Sequence, residues 1–65
     1  MKTIKEQVLE EYSAFSAKLI DLQTFVESPE EWEKLAPEER FLLQRQESAM
    51  MQYLFVLKAR LDAMQ

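Results

Sequence analysis

Sixty-five residues with a formal net charge of −4 make one domain at most, and a monomer of that size buries only about 60% of the surface its unfolded chain exposes. The absence of Cys and His excludes disulfide staples, zinc sites of the usual kind and catalysis by thiol or imidazole, and the absence of Gly excludes Gly-rich phosphate loops. Association of subunits is the remaining route to a sufficient core.

The first predicted element is a helix over about 3–27. Ile4, Val8, Tyr12, Phe15, Leu19, Leu22 and Val26 recur at spacings of three and four, a heptad stripe about three heptads long. Thr3 reads as its N-cap, with Glu6 three residues on as the capping-box partner. Leu9, Ile20 and Phe25 lie beside the stripe and widen the apolar face, so more than one packing partner is expected.

The second element is a short capped connector over 28–36. Ser28-Pro29-Glu30-Glu31 places Ser at an N-cap, Pro at the first helical position and acids in the first turn. Only a turn can follow, because Pro37 disfavours helix at Ala36. Trp32 and Leu35 are expected to fold back over the end of the hairpin. The glutamates around Trp32 read as helix-start residues rather than metal ligands, so no metal and no cofactor are expected.

The third element is a helix over about 37–64. Leu43, Met50, Leu54, Leu57, Leu61 and Met64 form one stripe. The methionines, Met51 included, read as core filling. Leu42, Ala49 and Val56 form a second stripe, and Gln46, Tyr53 and Arg60 run with it at intervals of seven. Two long helices and a short connector predict an all-α fold. Its unit is one antiparallel helical hairpin domain over 1–65, assembling into an oligomeric helical bundle, a dimer or higher.

Gln46, Tyr53 and Arg60 admit two readings. The simpler is an interface edge, with Arg60 paired to a Glu of another helix. The sharper is a ligand wall: Tyr offers a flat face for a base, Arg a planar fork for phosphate oxygens, and Gln a reader of base edges. Lys18, flanking the first stripe, is either a snorkelling residue or a phosphate contact. Tyr12, inside that stripe, is either core or a stacking surface.

The charge is uneven. Residues 27–39 hold Glu27, Glu30, Glu31, Glu33, Glu38 and Glu39 against Lys34 alone, a net of −5; residues 40–65 come to +2 and residues 1–26 to −1. Long nucleic acid is a poor partner for such a chain, since backbone binding wants a basic stripe. No apolar run approaches the length of a membrane span, and no signal peptide is read at the N-terminus. A soluble protein of the cytoplasm is the expectation.

Two sets of spaced positions carry a resemblance. VLEE at 8–11, Phe15, Lys18-Leu19, Leu22, Phe25-Val26 and Ser28 form the first; Leu42-Leu43, Gln46, Ala49-Met50, Tyr53, Leu57 and Arg60-Leu61 form the second. Together they resemble the hairpin domain shared by phage anti-CBASS and anti-Thoeris sponge proteins and their short relatives, over roughly residues 7–61. The resemblance implies a viral anti-defence protein acting in the host cytoplasm. Such proteins form homo-oligomers of hairpins and bind cyclic nucleotide immune signals between subunits, sequestering them without degradation. The ligand-binding residues would be Arg60, Tyr53, Gln46, Lys18 and Tyr12. Position 12 is Tyr where the short relatives often carry Lys, so its role would be stacking. The alternative is a protein–protein interaction module or structural scaffold that docks a host protein. An enzyme would have to work with carboxylates alone and no cleft, so none is expected.

Overall fold

The computed structural model describes residues 1–64, and it is helical almost throughout. Helix α1 spans Ile4–Val26, the single turn α2 spans Pro29–Glu33, and helix α3 spans Pro37–Ala63. The described residues contain no strand. The chain reverses across α2, and α3 returns along α1 within an envelope of 44 × 16 × 16 Å.

Local chemistry sets the helix ends. The Thr3 backbone is extended, its hydroxyl accepts the Glu6 N–H at 3.1 Å, and the Glu6 carboxylate accepts the Thr3 N–H at 3.1 Å. This reciprocal box is the one expected, and a cap of this type contributes about 1 kcal/mol. Lys2 pairs with Glu10 at 2.6 Å, but both side chains are exposed and such a pair contributes little.

At the far end, Ser28 and Ala36 are extended, each immediately before a proline. The expected Ser28 cap is corrected in one respect. Ser28 occupies the N-cap position, yet its side chain makes no capping hydrogen bond; its carbonyl takes the Trp32 N–H at 2.9 Å instead. Pro29 occupies the first position of the turn, where a missing N–H costs nothing. The last carbonyls of α2, of which that of Trp32 also takes the Leu35 N–H at 3.2 Å, accept from Arg40 in the first turn of α3. Its Nε donates to the Trp32 carbonyl at 3.0 Å and its Nη2 to the Glu33 carbonyl at 3.1 Å. The same guanidinium lies 5.9 Å from the centroid of the half-buried Trp32 ring. One cation therefore fastens the connector to α3. No described residue has a positive φ, so the reversal needs no glycine.

Val8, Leu19 and Leu57 are the buried apolar residues of the hairpin. Phe15, Leu22, Leu43, Met50, Leu54 and Leu61 are half-buried around them. Ile4 belongs to the sequence stripe but lies 66% exposed. Leu9, Ile20, Phe41, Leu42, Met51, Phe55 and Val56 are also exposed. The accessible surface is 5205 Å², against about 4,400 Å² for a compact monomer of this mass. The radius of gyration is 14.8 Å, against about 11 Å for a globular chain of this length. One hairpin leaves much of its apolar surface uncovered.

Candidate functional site

The polar line on α3 meets α1 along one edge of the hairpin. The Tyr53 hydroxyl donates to the Glu11 carboxylate of α1. The Tyr53 ring packs edge-on against Phe15, with centroids 4.8 Å apart and planes at 64°. Tyr53 is thus held from both ends, by an apolar neighbour along the ring and an anion at the hydroxyl, while 39% of it stays open to solvent.

The antiparallel course of the helices fixes the rest of the edge. Positions seven apart share a face and stand about 10.5 Å apart along the axis. One heptad toward the open end from Tyr53 is Arg60. One heptad toward the connector are Gln46 on α3 and, counting from Glu11, Lys18 on α1. Lys18 and Gln46 therefore share a level at the edge. Arg60, Gln46 and Lys18 are all exposed.

The edge has limits as a site. Arg60 and Lys18 lie about 21 Å apart along the hairpin, beyond what two side chains of one copy can close around a compact ligand. Tyr12 is not brought to the edge. It follows Glu11 by one residue, which turns it about 100° around α1, and its side chain is half-buried on the other flank. Within one copy the edge is a wall without an opposite side. The hollow lined by Ser48, Met51, Gln52 and Phe55 lies on another side of α3.

Glu11 and Phe15 were not singled out by sequence reasoning as partners of Tyr53. Glu11 changes the electrostatics of the edge. Its hydrogen bond to the phenol, aided by partial burial and by its negative charge, raises the Tyr53 pKa above the usual value, and the positive charge of Arg60 pulls the other way. A phenol with a raised pKa contributes stability below its ordinary titration range. That contribution is lost as pH climbs through the raised value. In a Tyr12→Phe background Tyr53 is the sole tyrosine, so tyrosinate absorbance reads it alone. Its titration midpoint is expected above the ordinary value and should fall on Glu11→Gln. An unchanged midpoint would mean that the two side chains do not meet in solution.

Chemically, the edge offers two separated cations, an amide, an aromatic face and an acceptor. The Tyr53 hydroxyl at its centre is tied to the Glu11 carboxylate. Among the described residues no His/Cys/Asp/Glu group could hold a metal ion. No helix there is long and apolar enough to cross a membrane.

A family model described as Sequestin matches residues 2–63, nearly the whole chain. No curated protein and no solved structure matches it.

Proposed function

This chain belongs to the Sequestin family, and from that premise we propose that it sequesters a small signalling molecule, a cyclic nucleotide made by a bacterial immune system, without degrading it. The protein would act in the host cytoplasm during phage infection, as a homo-oligomer of hairpins. The family name denotes sequestration, and the sponge resemblance points the same way.

The observation that carries the reading is the open edge at Tyr53. There an aromatic ring is held by Phe15 and Glu11, with Arg60 one heptad away. Tyr53 would stack a base, Gln46 would read or orient it, and Arg60 would hold a phosphate. Lys18 and Tyr12 would serve the same ligand from another copy, because one hairpin does not gather them with Arg60. A pocket closed between copies also suits a chain that exposes this much apolar surface.

A panel of cyclic di- and trinucleotides, cyclic mononucleotides and cyclic ADP-ribose isomers tests the proposal by thermal unfolding. A ligand that binds only the folded state, present at about 100 times its Kd, adds about 2.7 kcal/mol. For a domain of this size the midpoint should rise by on the order of 10 °C. The ligand should be recovered intact after denaturation; its conversion to product would reveal an enzyme. A flat panel would sink the proposal and favour the second reading, a scaffold that docks a host protein through its exposed apolar residues.

A further inference from the structure

The outer side of α3 carries a shallow hollow. Ser48, Met51, Gln52 and Phe55 line an open hollow there. These residues stand at i, i+3, i+4 and i+7. Four residues so spaced form the hole that accepts one knob from a facing helix in a coiled coil. α1 does not supply the knob, because it packs on the side of α3 that buries Leu57, and Met51 and Phe55 stay exposed. Phe41 is exposed as well. It stands two heptads before Phe55 with Ser48 midway, so all three share one line along the outer side. The Arg45 guanidinium lies 5.7 Å from the Phe41 ring centroid and flanks the ring.

We propose that the outer side of α3 binds a second copy of this chain, antiparallel, with Phe41 of each copy entering the four-residue hole of the other. The inference rests on the assembly part of the functional reading and adds a contact between copies on a side of α3 away from the Tyr53 edge. Knob and hole lie on one face about ten residues apart. A two-fold axis midway between them therefore seats both knobs at once, as a self-complementary interface requires. Charge selects the direction. Residues 27–39 form an acidic end of net −5. A parallel pair would set two such ends side by side, whereas an antiparallel pair lays each beside the open end of its partner, where Lys58 and Arg60 stand.

The chain has no cysteine, so one introduced thiol can cross-link only to another copy. Ser48→Cys lies near the proposed axis and is expected to give a disulfide-linked dimer under mild oxidation. Ala59→Cys lies on the same outer side but far from the axis, and is expected to give none. Phe41→Glu should reduce the mass in solution to that of one chain, or remove the two-fold contact from a larger assembly, with helix content by circular dichroism unchanged. Cross-linking of Ala59→Cys as readily as Ser48→Cys would overturn the antiparallel arrangement. An oligomer in which neither variant cross-links and Phe41→Glu changes nothing would move the interface to another face and leave the assembly reading standing. A wild-type protein with the mass of one chain would overturn both.

Discussion

Leu57→Ala is expected to take away most of the stability of the hairpin. Leu57 is 1% exposed and is the largest fully buried side chain. With Val8 and Leu19 it forms the part of the α1–α3 contact that water does not reach. A buried Leu→Ala change costs about 2–5 kcal/mol, through lost transfer energy and the cavity left behind. A chain of this length holds about 3–10 kcal/mol in total. The unfolding midpoint should fall by on the order of 10 °C or more, and far-ultraviolet circular dichroism against temperature measures it. Ile4→Ala is the matched control. Ile4 occupies the same kind of stripe position in α1 but is exposed, so its loss should stay within about 0.5 kcal/mol. Equal losses from the two changes would contradict the register in which the helices pack.

Arg60→Ala is expected to weaken ligand binding strongly while leaving the fold in place. Arg60 is exposed, and among the described residues it enters no ion pair with its own chain. Its service to the hairpin is confined to the favourable position of a cation in the last turn of α3, a few tenths of a kcal/mol. A hydrogen-bonded contact to a charged phosphate contributes about 1.5–3 kcal/mol, so its removal should weaken binding by about 10- to 150-fold. Two Arg60 side chains from two copies around one ligand would deepen the loss. Calorimetric titration with whichever nucleotide raises the unfolding midpoint gives the number. Arg60→Lys separates charge from geometry, because lysine keeps the positive charge but loses the planar fork. Unchanged affinity in Arg60→Ala would remove Arg60 from the site, and a fall in mass would assign it to the contact between copies.

What could be read from the sequence was local or periodic. The Thr3–Glu6 box involves groups three residues apart and needs nothing from the rest of the chain. Pro37 forces an extended Ala36 by its own ring. The heptads that place Val8, Leu19 and Leu57 inside follow from helix geometry alone. Ile4 fits the same pattern and is nevertheless exposed, since periodicity says which way a residue faces and not how closely the other helix packs on it. Register was the larger gap. A slip of one heptad between α1 and α3 keeps apolar stripe against apolar stripe, yet it would place Tyr53 against Lys18 in place of Glu11, a cation in place of an anion. Only the observed packing selects Glu11. The Arg40 clasp was hidden for a related reason. Its targets are backbone carbonyls, which every residue carries, so no side-chain pattern announces them.

The two prolines that frame the connector have a consequence for how copies exchange. Helical hairpins can swap by straightening, the turn becoming helix and each arm pairing with a neighbour. Straightening here would make a single rod from Ile4 to Ala63 about 90 Å long. Pro29 and Pro37 would then sit in a helix interior, each losing a hydrogen bond and clashing with the preceding turn, at about 3 kcal/mol apiece. The Arg40 clasp on Trp32 and Glu33 would be lost as well. In the proposed assembly every copy would therefore enter already folded shut, with its own Glu11 and Tyr53 joined. Mixed oligomers formed by combining two variants should exchange whole hairpins and never half of one.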